Sequence, residues 1–176
     1  MAEREFLPVG IAVMTVSDTR TMADDKSGQT LADRITAAGH RLAGRAIVKD
    51  DVRKIRAAAK NLITDKNVDV LISTGGTGLT GRDVTIEAMR GLFEKEIEGF
   101  GVVFHQISFA KIGTSTMQSR ATGGVAKGKY IFCLPGSPGA CRDGWDEILV
   151  KQLDYRHKPC NFIEIMPRLD EHLRRK

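Results

Sequence analysis

Short apolar stretches typical of β-strands alternate along the chain with segments in which apolar residues recur every three or four positions. The first stretch, residues 9–16, is nearly continuous, which is typical of a strand covered on both faces. Further strand patterns occur at 42–48, 68–73, 120–126 and 130–134, and helical patterns occur at 28–38, after 50–51, at 84–93, at 99–111 and after 138. This alternation predicts an α/β sandwich around a mostly parallel sheet.

Length and composition fit one such domain. A chain of 176 residues is long enough to bury a core, and 41% apolar with 28% charged residues excludes a disordered or fibrous protein. We find no repeat or linker and expect a single domain over residues 1–176, with a core at about 9–162 and a short basic tail. Because the sequence has no apolar run long enough to span a membrane and no signal peptide, we expect a soluble, cytoplasmic protein.

Charge and cysteine content exclude several other classes of protein. The net charge is +5, but Lys and Arg are spread along the chain, and the one dense group, Arg174, Arg175 and Lys176, is typical of a solvated terminus. We therefore expect no nucleic-acid partner, whereas a small anionic ligand suits the modest positive charge. The three cysteines form no Cys-x-x-Cys pair and the four histidines lie far apart, so neither a disulfide framework nor a zinc site is expected.

The third strand pattern runs into residues 73–78, Ser-Thr-Gly-Gly-Thr-Gly. Three glycines in four positions let the backbone turn tightly and approach a ligand closely. Two threonine hydroxyls and successive N–H groups can then hold a phosphate or another anion. The spacing matches neither a Walker loop nor a dinucleotide fingerprint. The alternative is a glycine-rich turn that only links a strand to a helix.

Acidic residues follow two of the predicted strands. Asp83 comes just after the glycine loop, where it is a helix N-cap, a ligand for Mg²⁺ beside a bound triphosphate, or both. Arg82 is either an ordinary exposed side chain or a bidentate phosphate contact. One of Asp50 and Asp51 is expected to cap the next helix and leave the other free at the same sheet edge. Two carboxylates beside a phosphate-binding loop are what metal-assisted phosphoryl or nucleotidyl transfer requires.

Two more strand ends belong to this edge. Residues 135–138 make a rigid Pro-Gly-Ser-Pro turn, in which Ser137 is expected to cap the last helix. A turn with a cap is therefore the alternative to a ligand site there. Ser17 and Asp18 follow the first strand. They would lie at the same carboxyl edge of the sheet, which we call the rim. Ligands of open α/β sheets bind beyond the carboxyl ends of the strands.

Three tempting features favour structural roles. The chain has no Gly-x-Ser-x-Gly motif, so a serine hydrolase nucleophile has little support. Cys133 ends an apolar strand pattern and is expected to be a core residue. The polar residues at 114–120 are typical, on spacing alone, of a solvated loop.

Taken together, these motifs resemble the MoaB/MogA family of molybdenum cofactor biosynthesis proteins, and within it the MoaB members most. The resemblance is carried by residues 73–78, 82–85, 87–88, 98–101, 107–109, 113–120 and 134–138, and the likeness to MoaB by 47–49, 113–120 and 158–162. It covers about residues 10–162. One departure is Ile86, where the family commonly has Pro, a change that affects helix entry more than chemistry.

The resemblance implies a three-layer α/β/α sandwich that assembles into homotrimers or homohexamers. It implies that the chain binds molybdopterin and adenylylates it with Mg-ATP, releasing pyrophosphate. Asp83 matches the family's catalytic aspartate and Asp50 a second functional carboxylate, and both are the implied Mg²⁺ ligands. The implied substrate and nucleotide site consists of Ser17, Asp18, Thr74, Gly75, Gly76, Thr77, Gly78, Arg82, Ser119, Arg120, Pro135, Gly136 and Ser137.

A second function stays open at this point. Some MoaB proteins lack the acidic pair and are inactive in adenylylation. The alternative is therefore a non-catalytic molybdopterin carrier or assembly factor that uses the same pocket. The presence of Asp50, Asp83 and Arg82 in this chain favours the enzyme.

Overall fold

Six strands form one sheet in the computed structural model, which describes residues 4–174. The strands are β1 (Gly10–Val16), β2 (Arg41–Val48), β3 (Val70–Thr74), β4 (Lys95–Glu96), β5 (Thr122–Ala126) and β6 (Lys129–Leu134). Their order across the sheet is β2-β1-β3-β6-β5-β4. The four strands β2, β1, β3 and β6 are parallel, whereas β5 and β4 join antiparallel. The prediction of a mostly parallel sheet is confirmed.

Helices cover both faces of this sheet. They are α1 (Lys26–Ala37), α2 (Val52–Thr64), α3 (Thr85–Arg90), α4 (Glu98–Ile112), α5 (Pro138–Asp143), α6 (Val150–Gln152), α7 (Phe162–Ile165) and α8 (Glu171–Arg174). A 3₁₀ turn at Gly113–Gln118 follows α4, another at Met166–Arg168 follows α7, and a π-helical turn at Gly144–Leu149 joins α5 to α6. The predicted helices all exist, but β4, α7 and α8 have no counterpart in the sequence patterns.

Two hydrophobic cores lie on opposite faces of the sheet, which makes the three layers. Along β1, Ile11 and Val13 face the core under α1 and α4, whereas Ala12 and Met14 face the core under α2 and α3. This explains the nearly continuous apolar pattern of the first strand. Ile86, at the start of α3, is buried in the second core.

One helix start differs from the expectation. Ser27 was the expected cap of a helix beginning at Gly28, but α1 begins at Lys26 and its N-cap is Asp25, whose side chain accepts a hydrogen bond from the Gly28 backbone N–H. The Asp25 carboxylate also accepts hydrogen bonds from the side chains of Thr15 and Arg45, which hold it at this position. Ser27 instead donates to the Gly136 carbonyl at 2.8 Å.

The strand order positions the site. From β1 the chain crosses to β2 on one side and then returns past β1 to β3 on the other, so the loops after β1 and β3 diverge at the carboxyl edge. Crevices at such a switch point are where open α/β sheets bind ligands.

Two remaining expectations concern the ends and membranes. In the basic tail, Arg174 is exposed and pairs with Asp170 at 2.6 Å, whereas Arg175 and Lys176 lie outside the described residues. Among residues 4–174, no helix combines the length and apolarity needed to cross a membrane.

Candidate functional site

The loop after β3 depends on glycine at two positions. Gly75 and Gly76 have φ angles of +94° and +62°, in the left-handed region that side chains disfavour. A Cβ at Gly75 would overlap the Val16 carbonyl, and one at Gly76 would lie 2.7 Å from Asp50 Oδ1. The loop therefore passes directly against β1 and against the acidic end of β2.

The proline turn after β6 lies against this loop. The Thr74 hydroxyl donates to the Pro135 carbonyl at 2.9 Å, and the Gly75 N–H donates to the Leu134 carbonyl at 3.1 Å. A Cβ at Gly136 would come within 3.0 Å of the Gly75 Cα. Ser137 is the N-cap of α5 and accepts from the Ala140 N–H at 3.1 Å, so the predicted cap is confirmed.

The two consecutive aspartates after β2 take different roles, as the sequence predicted. Asp51 is the N-cap of α2, and its carboxylate accepts from the Lys54 N–H at 2.9 Å. That bond is the main reason why the pKa of Asp51 is lowered. Asp50 is left half-buried at the sheet edge, where burial and the negative charge of Asp18 raise its pKa.

Asp83 is not a helix N-cap, contrary to one of its two predicted roles. The N-cap of α3 is Val84, which offers no side-chain cap. The Asp83 carboxylate turns back instead and accepts from the Thr80 hydroxyl at 2.7 Å and the Thr80 N–H at 2.9 Å. These bonds hold its pKa below the usual range. Both contacts use Oδ2, and the Gly78 backbone N–H also helps to lower the pKa of this carboxyl.

Asp18 and Arg82 form an ion pair across the rim. The Arg82 Nη2 and Nε both contact Asp18 Oδ2, the latter at 3.1 Å, while Asp18 Oδ1 accepts from the Asp50 N–H at 3.2 Å. Arg82 is the main cause of the lowered pKa of Asp18. The pKa of Asp50 is also raised by the charge of Asp83 and lowered by that of Arg82. The charges of these side chains and of Asp18 therefore influence one another.

A cavity of about 260 Å³ opens at the switch point between these loops. Its lining includes the predicted residues Ser17, Thr74, Gly75, Gly76 and Gly136, together with Thr15, Val16, Arg20, Asp25, Lys26, Ser27 and Pro138. At its floor the buried Asp25 carboxylate accepts from the Thr15 hydroxyl at 2.8 Å and from Arg45 at 3.0 Å. Sequence reasoning missed this trio, because its members are brought together only by the order of β1 and β2.

Neither Ser119 nor Arg120 lines this cavity: the Ser119 carbonyl lies against His105 of α4, and only Arg120 reaches the glycine loop. The segment before them is a 3₁₀ turn, mostly exposed, so the predicted solvated stretch is in part helical. Arg120 reaches the carbonyls of Thr77, Gly78 and Asp83. Together with Thr80 and Glu87, it belongs to a set of loop contacts; the sequence motifs include Arg120 and Glu87, but they do not reveal that the two side chains pair.

The oxygen donors at this edge fit a magnesium ion that is shared with a phosphate. Mg²⁺ in nucleotide sites takes one or two carboxylates and completes its shell with phosphate oxygens and water. Asp50 and Asp83 are two carboxylates at this edge that could take this role. Within residues 4–174, no set of three His, Cys, Asp or Glu side chains is arranged to hold a metal alone.

The buried thiols are unsuited to nucleophilic chemistry. Cys133 is completely buried, as predicted for a core residue. Cys141 lies under the proline turn, 3.1 Å from the Thr74 hydroxyl, and burial raises the pKa of its thiol to about 11. Both thiols therefore stay protonated at neutral pH.

Comparison with known proteins places this geometry in context. A family model described as "Probable molybdopterin binding domain" matches residues 12–155. Molybdenum cofactor biosynthesis protein B from Escherichia coli (strain K12) is 50% identical over 158 residues, which cover 90% of this chain and 93% of the relative. A protein of Methanocaldococcus jannaschii named "Probable molybdopterin adenylyltransferase" is 40% identical over 138 residues, which cover 74% of this chain and 82% of the relative.

Solved structures share the whole fold. A crystal structure of Molybdenum cofactor biosynthesis protein B matches with a TM-score of 0.84 at 40% identity, covering 97% of this chain and 99% of that one.

Proposed function

The chain belongs to the family of molybdopterin binding domains found in molybdenum cofactor biosynthesis, and we propose that it binds molybdopterin and adenylylates its phosphate with Mg-ATP. The name of the Methanocaldococcus jannaschii relative supports the same reaction. The observation that carries the proposal is that Asp50 and Asp83 both lie against the glycine loop after β3, Asp50 beside Gly76 and Asp83 beside Gly78.

In the proposed reaction, an oxygen of the molybdopterin phosphate attacks the α-phosphorus of ATP. The bond from that phosphorus to the bridging oxygen of the β-phosphate breaks, and pyrophosphate leaves with the electron pair. Magnesium, when bound, neutralises phosphate charge as this bond breaks. Such transfers depend on positioning and electrostatic stabilisation more than on covalent chemistry by the protein.

Different residues of the rim would bind the magnesium ion, the phosphates and the substrate. Asp50 and Asp83 would hold the magnesium ion, and the backbone N–H groups of Gly76 and Thr77 would bind phosphate oxygens. Arg82 would exchange its partner Asp18 for a phosphate, since a guanidinium binds either group bidentately. The cavity lined by Thr15, Ser27 and Gly136 would receive part of the substrate.

We also propose that the chain forms a homo-oligomer, a trimer or a hexamer, through the outer face of α4. The inner face of this helix buries Phe100 and Phe104, yet its outer face exposes Val102 (67%), Phe109 (58%) and Ile112 (54%). A helix that is apolar all round is normally covered on all sides. We propose a cytoplasmic location for the reaction as well, since Cys133, Cys141 and Cys160 form no disulfide within residues 4–174.

The reaction is tested by incubating the purified protein with molybdopterin, Mg²⁺ and α-labelled ATP, with Asp83→Asn alongside. We expect label on the pterin in the wild type and a loss of at least about 100-fold in the variant, the scale seen when a transition-state electrostatic contact is removed. Molybdopterin binding should be retained by both proteins. Binding without any label on the pterin would contradict the enzyme and favour the carrier function.

A further inference from the structure

One arginine holds the loop between β3 and α3 from outside. Arg120 lies two residues before β5, and its Nε donates to the carbonyls of Thr77 at 3.0 Å and Gly78 at 3.1 Å. Its Nη2 donates to the Asp83 carbonyl at 3.2 Å. The three acceptors stand at the two ends of segment 77–83, so this single side chain connects the beginning of the loop to its end.

Glu87 on α3 fixes the same guanidinium. Its Oε1 pairs with Nη1 of Arg120, and its Oε2 accepts from Nη2 at 3.2 Å. This pair is the main cause of the lowered pKa of Glu87. All three guanidinium nitrogens are therefore engaged, and the loop is tied to the helix that follows it.

The backbone around Arg120 is itself held against α4. The two ring nitrogens of His105 lie 2.7 Å from the Gly101 carbonyl and 2.9 Å from the Ser119 carbonyl. A Cβ at Gly101 would come within 2.7 Å of the Ala121 carbonyl, so the helix packs directly on this backbone. The backbone on either side of Arg120 is therefore held in place by α4.

The loop held in this way carries Asp83. Within it, the Thr80 N–H and hydroxyl bind the Asp83 carboxylate, and the Asp83 N–H donates to the Thr80 carbonyl at 3.0 Å. We propose that Arg120 and Glu87 are positioning residues, which set the Thr80–Asp83 turn and thereby the direction of the Asp83 carboxylate. The proposal rests on the proposed adenylyl transfer and assigns Arg120 a role other than substrate contact.

Lysine cannot replace arginine in this arrangement. A guanidinium is a planar fork that meets several carbonyls and a carboxylate at once, whereas an ammonium group is a point charge on a flexible stem. Arg120→Lys is therefore the informative variant, since it keeps the charge and removes the fork.

Hydrogen exchange of the ligand-free protein provides the first test. In Arg120→Lys the amides of Thr80 and Asp83 should exchange at least about tenfold faster, because local opening of the turn loses several hydrogen bonds that oppose it. Glu87→Gln should act in the same direction with a smaller effect. The matched control is Arg56→Lys, since Arg56 donates to the Ala88 and Glu87 carbonyls of α3 but not to the loop. The control should leave the exchange of Thr80 and Asp83 unchanged.

Kinetics provide the second test. In Arg120→Lys we expect kcat for adenylyl transfer to fall at least about tenfold while KM for ATP changes by less than about threefold, since the variant misplaces a group that acts in the transition state. Arg56→Lys should keep both constants. Unchanged exchange at Thr80 and Asp83 in Arg120→Lys would overturn the proposal. A rise in KM for ATP alone would also overturn it and would make Arg120 a substrate contact.

The two proposals can fail separately. If the wild-type protein does not transfer the adenylyl group, the proposed function fails, and the exchange measurement still decides whether Arg120 holds the turn. If transfer occurs and Arg120→Lys exchanges like the control variant, only the positioning role is lost.

Discussion

At the scale of single residues, the clearest contrast is between two consecutive aspartates. Asp51 is the N-cap of α2. Asp50 stays at the sheet edge, where burial and the negative charge of Asp18 raise its pKa. The sequence predicted that one would cap and the other stay free, because only one residue can occupy an N-cap. It could not decide which, because that depends on where the helix begins.

The contrast predicts opposite effects on stability. Asp50→Asn should raise Tm by up to roughly 3 °C at pH 7, because it removes a half-buried charge from beside Asp18 and Asp83. A carboxyl whose folded-state pKa is raised stabilises the fold only while it is protonated, and this contribution is lost as pH rises through that pKa. The gain in Tm should therefore shrink as the pH is lowered toward 4, as measured by thermal unfolding at several pH values.

Asp51→Ala is the matched comparison. It should lower Tm by a few degrees, because the N-terminus of α2 loses its cap. Since the pKa of Asp51 is lowered, the deficit should be largest at neutral pH and should shrink as the pH falls. Two variants that moved Tm in the same direction would contradict the separate roles.

At the scale of elements, the loops at the carboxyl edge pack closely against one another because glycines lie where their backbones touch. The sequence predicted these loops because Gly, Pro and Asp follow strand patterns directly. It did not predict the Thr80–Asp83 turn, since a helix cap and a side-chain turn place the same residue types in the same order. The short elements β4, α7 and α8 were missed because two to four residues carry no periodicity.

Gly76→Ala tests the closeness of this fit. The substitution should destabilise the protein by about 1–3 kcal/mol in urea unfolding, since a non-glycine residue is strained at this φ and its Cβ would collide with Asp50 and Thr85. Gly81→Ala, in the same loop with nothing within 4 Å of the added Cβ, should change stability by less than about 0.5 kcal/mol. Equal effects of the two variants would show that the loop accepts side chains throughout.

At the scale of the whole molecule, strand order decides which residues meet. The parallel strands predicted a common edge for Ser17, Asp50, Asp83 and the proline turn, and the structure places them there. The trio of Thr15, Asp25 and Arg45 could not be predicted, because the pairing of β1 with β2 has no local signal.

The exposed apolar residues on the outer face of α4 predict how a substitution there changes the oligomeric state. Phe109→Ser should shift the protein from an oligomer toward smaller species in sedimentation velocity, because the apolar contact between copies is weakened. Leu42→Ser changes an exposed apolar residue on β2, at the opposite edge of the sheet, and should leave the sedimentation coefficient unchanged. A wild-type protein that sediments as a monomer would contradict the proposed assembly.

The most direct test of the central claim is the mass of the pterin recovered after incubation with Mg-ATP. We expect the wild-type protein and Asp51→Asn to yield molybdopterin heavier by one adenylyl group, because Asn still caps α2. Asp50→Asn should yield unmodified molybdopterin, since it removes one of the two proposed magnesium ligands. Unmodified molybdopterin from the wild-type protein, or full conversion by Asp50→Asn, would contradict adenylyl transfer at the acidic rim.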